Sequence, residues 1–159
     1  MTKPRFGEPR DLWERDGSLR DVYLFDANKT DWLVLLSMAN QFGARYLCDG
    51  AEMPLPSVED IFSNREVSHL LQVSVGRVTV NCHFFVPGEI ELDIDPRDVN
   101  GPQEHAVVLE ILEQLAQGAS KSVVVTAENS EDAVYLRYEP EPRKWTAFEP
   151  AFGDGAHDA

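Results

Sequence analysis

Six side chains between Thr79 and Asp95 have the types to do chemistry if they share a surface: Thr79, Asn81, His83, Glu91, Asp93 and Asp95. A histidine beside a glutamate can pass a proton, and a histidine among carboxylates can hold a divalent cation. The same six, spread along one face, can instead meet a cationic surface by charge alone. Their spacing decides between these uses.

That spacing is the spacing of strands. From Leu70 to Asp95 the chain reads LLQVSVGRVTVNCHFFVPGEIELDID, a three-stranded meander in alternation. A two-residue Gly76-Arg77 loop, glycine first as a type II′ turn prefers, sets Val75 opposite Val78, Val73 opposite Val80 and Leu71 opposite Cys82. Ser74/Thr79, Gln72/Asn81 and Leu70/His83 then share the other face. At the second turn, a two-residue Pro87-Gly88 loop would pair Phe84 with Glu91 and Cys82 with Asp93. A three-residue Val86-Pro87-Gly88 loop with Gly88 left-handed predicts better pairs: Phe84/Ile90, Cys82/Leu92 and Val80/Ile94 on an oily face. His83/Glu91, Asn81/Asp93 and Thr79/Asp95 fall on the polar one. Side chains on a flat sheet stand side by side, so this polar face reads first as solvated, then as a partner-binding surface, and last as a metal or acid-base site.

Flanking elements must cover the oily face. Residues 20–26, RDVYLFD, read as a strand inside the sheet, with Val22 and Leu24 on one side and Tyr23 and Phe25 on the other. Thr30 is the expected cap of a helix over about 30–42, in which Trp32, Leu35, Leu36 and Ala39 recur at helical spacing before Gly43. A strand at 44–49 and a proline-broken connection follow, and Ser57 caps a short helix through about Ser63. Pro102 opens a second long helix over about 102–117, with Val108, Ile111, Leu112 and Leu115 in its stripe and Gly118 as its end. Strands at 122–126 and 134–138 enclose a wide polar loop. The expected fold is therefore α+β: a two-layer sandwich in which two amphipathic helices cover one face of a largely antiparallel sheet. The opening strand-helix-strand also allows a ferredoxin-like crossover. Residues 1–18 read as an irregular leader, anchored only if Trp13 docks. Residues 19–152 form one domain, and 153–159 are expected to fray.

The chain of 159 residues carries a net charge of −14, and residues 21–159, with 9 basic and 24 acidic side chains, carry −15. Such a field repels phosphate and anionic membrane, which disfavours nucleic-acid and membrane partners and favours a basic protein. No run approaches the roughly 20 apolar residues of a membrane span, and the N-terminus lacks a signal-peptide core, so a cytoplasmic location is expected. Two cysteines make neither a disulfide framework nor a zinc pattern. No phosphate-binding glycine loop, nucleophile elbow or H-E-x-x-H is present, and no cofactor, metal ligand set or catalytic residue is assigned.

The expected function is thus non-enzymatic binding or regulation, as an inhibitor or immunity-type protein that engages a cationic protein through Thr79, Asn81, His83, Glu91, Asp93 and Asp95. One alternative is an enzyme or ligand-binding domain with a pocket beside the C-terminal segment, lined by Tyr135, Tyr138, Trp145 and Phe148. Another is self-association as a homodimer through an edge strand or the aromatic tail.

Overall fold

A computed structural model describes residues 3–150. In chain order the elements are β1 (Arg20–Phe25), α1 (Lys29–Phe42), β2 (Ala44–Cys48), β3 (Ala51–Met53), α2 (Val58–Ser63), β4 (His69–Val75), β5 (Val78–Val86), β6 (Glu89–Ile94), α3 (Pro102–Ala119), β7 (Val123–Ala127), β8 (Ser130–Glu139) and β9 (Lys144–Ala147). All nine strands join one sheet in the order β3-β2-β4-β5-β6-β1-β7-β8-β9, every neighbouring pair antiparallel. Trp32, Leu35 and Leu36 of α1 share one core with Ile111, Leu112 and Leu115 of α3 and with Val22, Leu71, Cys82, Leu92 and Val125 of the sheet. The fold is the expected α+β arrangement, a sheet packed against helices. Among the described residues, no helix is long and apolar enough to cross a membrane.

The first meander turn follows the alternation. Leu71 faces Cys82, Val73 faces Val80 and Val75 faces Val78. Gly76 has a φ of +61° and Arg77 is not left-handed, the sign pattern of a type II′ turn. The second turn differs from expectation. Val86 pairs with Glu89 across a two-residue Pro87-Gly88 turn, and Gly88 is not left-handed. A bulge between His83 and Val86 restores Cys82/Leu92 and Val80/Ile94. Arg65 makes this bulge tenable, donating to Phe84 O at 3.0 Å and Phe85 O at 2.6 Å.

The ferredoxin-like crossover is also relocated. β1 and β2 run in the same direction, but β4, β5 and β6 lie between them. The closer match is β6-α3-β7, which brackets β1 alone. Two strands lie where the sequence predicts none, β3 in the proline-broken connection and β9 after the 134–138 strand. The β7-β8 loop is tight, with Ala127 facing Ser130 and two bulges in the ladder.

Two local signals belong to other residues than expected. Asn28, not Thr30, caps α1: its side chain accepts from Asp31 N at 2.9 Å, and the Asp31 carboxylate accepts from Asn28 N at 3.0 Å. Gly118 lies inside α3, which runs on to Ala119 and a left-handed Ser120. A Cβ on Gly118 would sit 2.5 Å from Val34 Cγ1, so this glycine is where α1 crosses α3. Gly118→Ala should therefore lose about 1–2 kcal/mol despite alanine's better helix propensity, and adding Val34→Ala should recover part of it in urea denaturation.

The leader is irregular but docked. Leu12 and Trp13 are buried, and Trp13 Nε1 donates to His105 Nδ1 at 3.0 Å, while His105 Nε2 meets Pro4 O at 2.8 Å. Burial holds the His105 pKa below its ordinary value, so the fold prefers the neutral ring. The sign follows: this contribution is complete above the unfolded value of about 6.5 and is lost as pH falls through the lowered folded value. Trp13 emission should report leader release on acidification, and His105→Gln should flatten that response. The expected fraying of 153–159 lies outside the described residues.

Candidate functional site

The face of the sheet opposite the helices is built in rows by β5, β6 and β1. One row runs Gln72, Asn81, Asp93, Asp21, Thr126, and the next runs His83, Glu91, Tyr23, Val124, Arg137. Beyond them Glu89 lies opposite Phe25. Because neighbouring strands are about 4.8 Å apart, β5 and β1 stand about 10 Å apart with the acidic β6 between them.

A hydrogen-bond chain runs along the first row from Gln72 to Asp93 and steps across to His83 of the second. Gln72 Nε2 donates to Asn81 Oδ1 at 3.0 Å, Asn81 Nδ2 donates to Asp93 Oδ1 at 3.0 Å, and His83 Nε2 meets Asp93 Oδ2 at 2.5 Å. His83 thus bonds diagonally to Asp93 rather than directly across to Glu91. Asp93 is only 7% exposed and Asp21 3%, both shielded on a face that alternation alone would give to solvent. Asp21 accepts from Asn129 N at 2.8 Å and Tyr23 Oη at 3.3 Å. Burial nevertheless raises its carboxyl pKa, with Asp93 and Glu128 adding to the rise.

The hydrogen bond that His83 donates to the Asp93 carboxylate raises the His83 pKa against the opposing effect of burial, with Glu91 and Asp21 adding charge attraction. The imidazolium is therefore favoured in the fold. Its contribution is complete below about pH 6.5 and is lost as pH rises through the raised folded value. Asp93→Asn should cost about 1–3 kcal/mol in that lower range, since it puts a donating NH2 where one of the two accepting carboxylate oxygens stood and removes the charge that the imidazolium faces. A proton-NMR titration should then show the His83 pKa falling. Equal stability of the two proteins at low pH would contradict this role for Asp93.

The second row and what lies beyond it are more open. His83 stacks on Phe85 with ring centroids 4.9 Å apart and planes 4° apart; Tyr23 stacks on Phe25 at 5.2 Å and 9°. Phe85 is 53% exposed and Phe25 38%. Between these columns, Glu89 and Glu91 both have raised pKa values, burial being the first cause; Glu131 adds to the rise at Glu89 and Asp21 to that at Glu91. Burial and the neighbouring Asp21 and Glu91 carboxylates also push the Tyr23 phenol up. Among the described residues, no Lys or Arg forms an ion pair with Glu89, Glu91 or Glu131.

Not all six residues expected from the sequence are brought together. Asn81, His83, Glu91 and Asp93 share the network or its edge. Thr79 meets Ser74 at 3.2 Å. Asp95 lies past the end of β6, where it caps a single 3-10 turn (Pro96–Asp98) and pairs with Arg97 at 2.7 Å. Strand alternation placed Thr79 and Asp95 together, but β6 stops one residue short of Asp95. Sequence reasoning missed Asp21, Tyr23, Phe25, Phe85 and Glu89. The alternation of β1 put Tyr23 and Phe25 on one side, but nothing local shows that β1 lies beside β6.

Of the four aromatic residues considered for a pocket, three lie in the core and Phe148 stays 37% exposed. Tyr135, Tyr138 and Trp145 are buried, Gln117 Nε2 donates to Tyr138 Oη at 2.7 Å, and Trp145 Nε1 donates to Glu113 at 2.6 Å. Phe148 lies under the Arg137 guanidinium. Among the described residues, no three His, Cys, Asp or Glu side chains converge as a metal site.

Neither a known protein-family model nor any curated protein matches this chain.

Proposed function

We propose that the protein is a non-enzymatic binding or regulatory protein, inhibitor- or immunity-like in its mode of action, which engages a cationic protein through the open face of its sheet. The observation that carries this reading is the combination, on one face, of exposed Phe25 and Phe85 with Glu89 and Glu91, for which the described residues provide no Lys or Arg ion-pair partner. Residues held in the hydrogen-bond network, such as Asp93 and Asn81, flank that surface in the adjoining row. The −14 of the whole chain favours a basic partner and speeds its approach. The free Cys48 and Cys82 thiols agree with action in the reducing cytoplasm, and Cys82, fully buried, has its pKa raised by that burial.

Affinity capture on the immobilised chain from a lysate of its own host, at low and high salt, tests this. A stoichiometric basic protein retained at low salt and released by high salt is expected. No partner at low salt, or a nucleic acid as the retained species, would refute it.

A further inference from the structure

The open face divides into two parts with different capacities. The buried row, Asn81 with Asp93 and Asp21, has its hydrogen bonds satisfied within the chain. The exposed part has two phenylalanines at the outer ends of aromatic stacks. Each ring has one face against its partner, His83 or Tyr23, and remains more than a third exposed. Shallow hollows border both: one of about 320 Å³ beside Phe85, with Arg65 and His69, and one of about 400 Å³ beside Phe25, with Val124 and Arg137. The Arg65 bonds to Phe84 O and Phe85 O hold the strand end that presents Phe85.

Building on the proposed function, we propose that this exposed part, from Phe85 across Glu89 and Glu91 to Phe25, is the docking surface and that its occupant is a segment of a protein partner presenting arginine side chains. The charges choose the occupant. A second copy of this chain would set carboxylate against carboxylate on molecules of net charge −14. A basic segment removes that conflict, and a cation beside Glu89 and Glu91 relieves carboxylates whose burial opposes their ionisation. The aromatic rings then choose between cations. A guanidinium lies flat on a ring face and bonds a carboxylate in its own plane, whereas an ammonium is a compact hydrated charge without that match. Phenylalanines spaced on either side of a carboxylate column therefore favour arginine over lysine.

Fluorescence anisotropy with a labelled four-arginine peptide and its four-lysine counterpart tests this at low salt. The arginine peptide should bind tighter. Phe25→Ser/Phe85→Ser, which leaves the net charge unchanged, should weaken it about tenfold and abolish its advantage over lysine. Glu89→Gln/Glu91→Gln should weaken both peptides by more than Glu14→Gln/Glu110→Gln, a control removing the same charge from exposed sites elsewhere. Circular dichroism checks that each variant is folded. If the phenylalanine pair is silent, or the two glutamine pairs act equally, the docking surface is not here, while the broader reading of an acidic protein with a basic partner survives. If neither peptide binds at low salt, that broader reading fails with it.

Discussion

Arg20→Met should cost about 2–5 kcal/mol of stability and release the leader, because it strips one buried and two part-buried carbonyls of their donor at once. Arg20 is 1% exposed although it stands on the helix side of β1, between Ile94 and Ala127. Its Nε donates to Leu12 O at 2.5 Å, and its Nη2 donates to Asp11 O at 3.2 Å and Glu14 O at 3.1 Å. Its guanidinium also lies over the Tyr135 ring, 5.2 Å from the centroid. A surface arginine would contribute little, and the Asp16 ion pair, whose carboxylate is partly exposed, adds little here. The carbonyls are what matter: methionine keeps the stem but leaves the buried Leu12 O and the part-buried Asp11 O and Glu14 O without this donor. Urea denaturation should show the loss, Trp13 emission should shift to the red, and a protease should cut within residues 3–18. Unchanged stability with a protected leader would show that Leu12 and Trp13 hold the segment without Arg20.

Trp32→Ala should cost about 3–5 kcal/mol and loosen the hairpin that presents Phe85. Trp32 is buried on α1 under the β5-β6 turn, with Phe84 and Phe62 rings each 5.1 Å away. Its Nε1 donates to Pro87 O at 2.7 Å. Truncation removes the largest fully buried side chain and the only bond that ties α1 to Pro87 O among the described hydrogen bonds. Trp32→Phe should recover most of the packing but lose the bond, leaving a deficit of about 1 kcal/mol. Hydrogen exchange at residues 85–90 should accelerate in the alanine variant beyond what global destabilisation accounts for. Uniform acceleration across the sheet would deny Trp32 this local role.

These two residues show what was and was not legible in the sequence. Trp32 lies on a clear amphipathic stripe, so its burial could be read directly, as could the β4-β5 register that Gly76 and the alternation impose. Arg20 gave no such sign, since an arginine at a strand start is ordinarily a surface residue. Its burial depends on Leu12, Glu14 and Tyr135, which only the folded chain assembles. The β5-β6 turn misled for a similar reason: its bulge needs Arg65, a donor about twenty residues away. Asn28 capped α1 in place of Thr30 because the reciprocal partner, Asp31, was three residues on. Gly118 read as a helix end until the α1 crossing was visible.

The candidate face was legible by half. Alternation correctly set His83 across from Glu91 and Asn81 across from Asp93. It could not show that Asp93 would be buried, because that requires β1 alongside, bringing Asp21 opposite it. The same placement brings Tyr23 and Phe25 to the other side of β6 and makes a two-walled surface out of what had been one polar strand pair.

Amide chemical-shift mapping with the four-arginine peptide at low salt tests the central claim most directly. Shifts confined to Tyr23, Phe25, His83, Phe85, Glu89 and Glu91, with α1 and α3 silent, are the predicted result. Shifts centred on the outer surfaces of the helices, or spread evenly over every acidic patch, would contradict it.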